Sequence, residues 1–138
     1  MGTNENSAVM VEFSIIGECF PLSEITNKLQ IEPTRAYSKG NSGKFNNIRK
    51  ETCWCIGTGY EESMDINDQL SKIINKIKDK KEILKGLKNQ YNLMFKFFIV
   101  INIIDNDKPG IYLDQETIHF ASELSASFDI DYYIFSKD

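Results

Sequence analysis

The sequence predicts an α+β fold: two β-α-β halves forming one mainly antiparallel, ferredoxin-like sheet, with helices packed on it and a helical insertion between the halves. Three observations predict it. Residues 93–104 (Leu93, Phe95, Phe97, Ile99, Ile101, Ile103) are apolar at every odd position, while the even positions mix Met94, Phe98, Val100 and Ile104 with Lys96 and Asn102. Alternate side chains of a strand point to opposite faces, so this stretch reads as a central strand with one wholly apolar face. Residues 8–17 repeat the pattern, and each of these two stretches leads through a Pro-containing turn and a short amphipathic segment into a further alternating stretch.

The first strand sets Val9, Val11, Phe13 and Ile15 on one face and Met10, Glu12, Ser14 and Ile16 on the other. Pro21 suits the first turn of a helix, where a missing N–H is harmless. Leu22, Ile25 and Leu29 then follow at helical spacing, and Pro33 forbids continuation. Residues 34–50 carry Arg35, Lys39, Lys44, Arg49 and Lys50 without an acid, around Gly40 and Gly43. A strand over 51–57 puts Thr52, Trp54 and Ile56 on one side and Cys53 and Cys55 on the other.

Asp65 is a candidate helix cap, followed by the apolar stripe Ile66, Leu70, Ile73, Ile74, Ile77, then Ile83, Leu84, Leu87 and Tyr91. The polar run Asp79-Lys80-Lys81-Glu82 interrupts that stripe. A single helix of this length, about 39 Å, would carry the chain to the far end of the sheet. The expectation is a break that returns the chain beside an antiparallel neighbour. Residues 105–110 are a turn, Asp114 caps a helix over 115–126, and a last strand over 128–135 alternates Phe128, Ile130, Tyr132 and Ile134 with Asp129, Asp131, Tyr133 and Phe135.

With 138 residues, 41% hydrophobic and 26% charged, the chain reads as one domain over 8–138 behind a disordered segment 1–7. A net charge of −4 argues against general nucleic-acid binding. No apolar run is long enough for a membrane helix, and the first residues lack the basic start and apolar core of a signal peptide. The three cysteines are an odd number, and the Cys53-Trp54-Cys55 spacing suits a structural disulfide poorly. A cytoplasmic location is the expectation.

A spaced set of residues carries a resemblance. It comprises Phe13-Ser14-Ile15-Ile16-Gly17, Phe20-Pro21, Glu24-Ile25-Thr26, Leu29-Gln30-Ile31-Glu32-Pro33-Thr34, Gly40, Arg49, Trp54, Asp65-Ile66-Asn67-Asp68-Gln69-Leu70 and Asp129-Ile130-Asp131-Tyr132-Tyr133. In this order they resemble the bacterial family known as domain of unknown function 4279, over about residues 9–133. The resemblance implies a small bacterial α+β domain and carries no reaction, so no functional residue is transferred.

No catalytic, metal-ligating or cofactor constellation emerges from the residues. Glu12, Asp129 and Asp131 are the carboxylates that one sheet face could gather for a metal-assisted hydrolase, and His119 stands alone between Glu116 and Glu123. The run 35–50 is the most distinctive chemistry. Arg35, Lys39, Lys44 and Arg49, with Trp54 as a stacking surface, form a candidate site for a small anion. The mixed sheet face, with Met10, Ile16, Met94, Phe98, Val100, Tyr133 and Phe135, needs a cover. An intramolecular helix is the first expectation; a protein partner or a second copy of the chain is the other. The reading is a small protein-interaction module, of immunity or antitoxin kind, rather than an enzyme. A small-anion binder is the alternative, and a hydrolase built on the sheet carboxylates comes last.

Overall fold

The computed structural model describes residues 6–43 and 47–136. Its elements are β1 (Ala8–Gly17), α1 (Leu22–Leu29), β2 (Arg35–Tyr37), β3 (Thr52–Gly57), β4 (Glu61–Glu62), α2 (Ile66–Ile77), α3 (Lys81–Tyr91), β5 (Met94–Ile104), α4 (Gln115–Leu124) and β6 (Ser127–Phe135). The strands form one mixed, mostly antiparallel sheet in the order β2-β3-β1-β5-β6, with the short β4 also pairing β1.

β1 is the axis. It pairs antiparallel with β3 from Glu12↔Gly57 to Gly17↔Thr52 and with β5 from Ala8↔Asn102 to Ile16↔Met94. β4 takes up the β3 side again at Val9↔Glu61 and Ala8↔Glu62. The odd residues of β1 and β5, with Trp54 and Ile56 of β3, enter one core with the apolar stripes of all four helices: Ile25 and Leu29, Leu70 and Ile73, Leu84 and Leu87, Ala121 and Leu124. Phe13 touches the rings of Phe95 and Phe97 at 5.6 and 5.0 Å between centroids, and Phe97 stacks on Phe128 at 5.2 Å. The period-2 pattern thus decides which face the helices take.

The caps follow side-chain chemistry. Asp65 accepts from the Asn67 N–H, and Asp114 Oδ1 accepts from the Thr117 N–H at 2.8 Å, each satisfying a donor that the first helical turn leaves open. α1, α3 and α4 end on Gln30, Asn92 and Ser125, all left-handed with φ of 57°, 55° and 53°.

The ferredoxin-like order is corrected. That order needs the last strand beside the first, whereas β6 lies parallel beside β5, from Lys96↔Ser127 to Ile104↔Phe135. The β5-α4-β6 unit closes on its own strand and leaves no second edge of β1 for β6. In the first half β3 sits between β1 and β2 and runs antiparallel to both. The two halves are therefore not copies of one another.

The helical break is present, as a 3-10 turn at Lys78–Lys80. It does not return the chain. β4 ends opposite Ala8 and β5 begins opposite Ile16, so α2 and α3 together carry the chain across eight positions of β1, about 27 Å.

Of the expected loose segment 1–7, Asn6 and Ser7 are described. Ser7 is buried; its hydroxyl donates to the Asp107 carbonyl and accepts from the Ile104 N–H at 2.9 Å. Residues 1–5 lie outside the described residues. Among the described residues, no helix is long and apolar enough to cross a membrane.

Candidate binding surface

The even residues of β1 and β5 point away from the helices and make the second face of the sheet. The first expectation, a helical cover, is not met: all four helices contribute to the core on the other face. Met10, Ile16, Phe98 and Val100 stay partly exposed, and Met94, Tyr133 and Phe135 are about half exposed.

Its β2 side is polar and ordered. Arg35, on β2, reaches past β3 to Glu12 on β1: Nη2 donates to Oε1 at 2.8 Å and Nε to Oε2 at 3.0 Å. Gly57 stands opposite Glu12 on β3, so no side chain there blocks the reach. The hydrogen bonds to Glu12 raise the guanidinium pKa further above its ordinary value and keep it charged.

Behind this pair lie the two thiols. Cys53 and Cys55 share the face, with sulfurs 3.2 Å apart, and Ser14 Oγ lies 3.2 Å from Cys55 Sγ. Both are free and buried. The hydrogen bond between them lowers the Cys53 pKa, with Arg35 assisting against burial, and raises that of Cys55, which burial raises further.

Arg35 and Arg49 converge on one ring. The Arg49 guanidinium carbon lies 4.1 Å from the Tyr37 ring centroid and that of Arg35 5.8 Å. Burial, then Cys53, raises the Tyr37 pKa. An open groove of about 1190 Å³ is lined here by Arg35, Tyr37, Asn47, Arg49, Lys50 and Glu51, among others. Among the described residues, Arg49 and Lys50 face no carboxylate within ion-pair distance.

The residues expected in an anion site fare differently. Arg35 and Arg49 come together. Lys39 turns away and donates to Glu18 Oε1 at 2.8 Å, which raises the lysine's pKa and lowers the glutamate's. Lys44 lies outside the described residues. Trp54 is corrected: it is fully buried among the helices on the opposite face, pairs with Ile15, and donates its indole N–H to Thr26 Oγ1 at 3.0 Å. It offers no surface for stacking. Tyr37 takes that place, and the alternation Arg35-Ala36-Tyr37 is the sequence signal that pairs it with Arg35.

The carboxylates do not gather. Phe98 stands between Glu12 and Asp129 in the register, and Asp131 lies one row further on beside Val100. His119 Nε2 meets Glu123 Oε1 at 3.0 Å on α4. Among the described residues, no three His, Cys, Asp or Glu side chains are grouped to hold a metal ion.

Residues 7–135 match the model of the family described as Domain of unknown function (DUF4279). The chain belongs to that family. The match covers the whole sheet, from the strand β1 to the end of β6, and every residue of the DUF4279 surface described above. No curated protein and no solved structure matches the chain.

Proposed function

We propose that this DUF4279 chain is a protein-interaction module that docks a partner protein on the open face of its sheet. One observation carries the reading: among the described residues, no helix lies over the face holding Met10, Phe98 and Val100. Partly exposed apolar residues grouped on one uncovered face mark an interaction site. The partner's chemistry follows from charge. Arg35, Arg49 and Lys50 border the face on the β2 side, so the fitting patch is apolar at its centre and acidic toward β2. An immunity or antitoxin role is one form of such a module.

The test is capture from the native host by the tagged full chain, beside the double variant Phe98→Glu, Val100→Glu. The expected result is one stoichiometric partner held by the wild type and lost by a variant of unchanged melting temperature. A wild type that elutes alone, or a variant that captures equally well, overturns the reading.

A second reading is a small-anion site in the groove, favoured by Arg49 and Lys50 having no carboxylate partner among the described residues. Inorganic phosphate and pyrophosphate should then raise the melting temperature of the wild type and not of Arg49→Ala, Lys50→Ala. No shift with either anion removes it.

A further inference from the structure

The strand β6 poses a separate problem. It is the last in the sheet order and, among the described residues, pairs on one side only, with β5. Along its final four residues both faces are bare: Tyr132 is 62% exposed, Tyr133 53%, Ile134 65% and Phe135 49%. Successive residues of a strand point to opposite faces, so a partner on the open face covers only Tyr133 and Phe135. Tyr132 and Ile134, on the helix side, stay in water whatever docks there. A long, apolar, unpaired edge of this kind is a template for a further strand.

We propose that β6 pairs with β6 of a second copy, antiparallel across a two-fold axis at Tyr132, joining two sheets into one. An isologous contact requires that residue i meet j and j meet i, and an axis at Tyr132 meets the condition over the longest run of β6 that keeps its acids apart. With Tyr132 opposite itself, Ile130 faces Ile134 on the helix side. On the open side Asp131 faces Tyr133 and Asp129 faces Phe135. The four carboxylates of the pair therefore never oppose one another. Shifting the axis to Asp131 or Ile130 sets acid against acid, Asp131 on itself or Asp129 on Asp131, in a sheet where directly opposed like charges destabilise.

The strand supplies much of the area. Seven residues of β6, 129–135, pair in this register; they span about 24 Å, and the two side-chain layers flanking the strand add about 20 Å of height, giving some 480 Å² per copy. A stable interface buries about 800 Å² per partner. The remainder falls to the helix layer, where α4 links β5 to β6 and its Ile118 is 52% exposed. On the open face the contact uses the β6 edge alone and leaves Met10, Phe98 and Val100 of β1 and β5 uncovered, so this contact and the one under Proposed function can coexist.

Sedimentation equilibrium of the purified full chain reads the stoichiometry. The expected mass is twice 15.9 kDa at micromolar concentration, with Tyr132→Lys raising the dimer dissociation constant at least ten-fold by setting two like charges on the axis. The register has its own readout. In a Cys19→Ser background, Tyr132→Cys should form a covalent dimer on mild oxidation, since residues facing each other across antiparallel strands lie within disulfide reach. Ile134→Cys should not, because its counterpart sits four positions along. A monomeric wild type overturns the proposal. So does a dimer that Tyr132→Lys leaves intact and Phe98→Glu dissolves, or a cross-link at 134 rather than 132. A monomer that still captures a protein on the open face would end this proposal and leave the interaction reading standing.

Discussion

Arg35 on β2 and Glu12 on β1 are joined by two hydrogen bonds although β3 runs between their strands. The Glu12 side chain is only 11% exposed and the Arg35 side chain 50%. Removing Arg35 leaves a nearly buried carboxylate with Ser14 Oγ, at 3.4 Å, as its remaining side-chain hydrogen-bond partner among the described residues. Arg35→Ala should therefore cost about 1–2 kcal/mol, the solvated guanidinium holding the figure down. Arg35→Lys should recover only part of it, because an ammonium cannot meet both oxygens at once. Chemical denaturation of the three chains checks the order wild type, Lys, Ala.

Trp54 predicts the behaviour of the chain's one tryptophan. It is fully buried and hydrogen-bonded to Thr26. Its emission should be blue-shifted and resistant to iodide. Thr26→Val should leave the indole N–H without its acceptor, at about 1–2 kcal/mol, while Trp54→Ala should cost about 3–5 kcal/mol. Fluorescence quenching and urea titration read these two effects separately.

Asp114 gives a pH dependence with a definite sign. Its hydrogen bond from the Thr117 N–H at the start of α4 holds its pKa below the ordinary value of 3.8. A carboxylate depressed in the folded state adds stability above its unfolded pKa and loses it as pH falls through the folded value. Asp114→Ala should thus lower the melting temperature at neutral pH by a few degrees, and the gap should narrow below about pH 4. Asp114→Asn keeps an acceptor for the same N–H, and should sit between the two at neutral pH. Melting curves of the three chains between pH 3 and pH 7 show whether the gap closes.

Ser125 marks a place where the chain is open to improvement. It ends α4 in the left-handed conformation, and among the described residues its side chain has no hydrogen-bond partner. Glycine meets no steric penalty there. Ser125→Gly should stabilise by about 0.5–1 kcal/mol. The same change at Gln30 should yield less, because the Gln30 amide donates to the Asn27 carbonyl and would be lost. Paired thermal denaturation of the two variants tests the difference.

The elements with their own periodicity are legible in the sequence. Residues 8–17 are β1 to the residue, α1 and α2 begin and end where Leu22, Leu29, Ile66 and Ile77 place them, and Asp65 and Asp114 are the caps. The short strands β2 and β4, of three and two residues, carry too little pattern to be seen. Strand order was the larger loss. Alternation says which residues share a face and nothing about which strand lies alongside, so β6 could be set beside β1 as readily as beside β5. The same blindness misplaced Trp54. Its nearness in sequence to Arg49 suggested one surface, while its pairing with Ile15 puts it on the other. Tyr37 was missed because its value comes from Arg49 arriving across the loop, a contact without a local signature.

The central place of β1 also dictates the order in which the fold can be completed during synthesis. β1 precedes every strand it pairs with, and one of its two long neighbours, β5, begins only at Met94. Until then a nascent chain can assemble β1 with β2, β3 and β4 alone, and the edge that β5 will cover stays open. Closing contacts between Ala8 and Asn102 joins residues far apart in the chain, which places folding among the slower, non-local class. The growing polypeptide therefore carries an unfinished sheet edge throughout the synthesis of the stretch between β1 and β5.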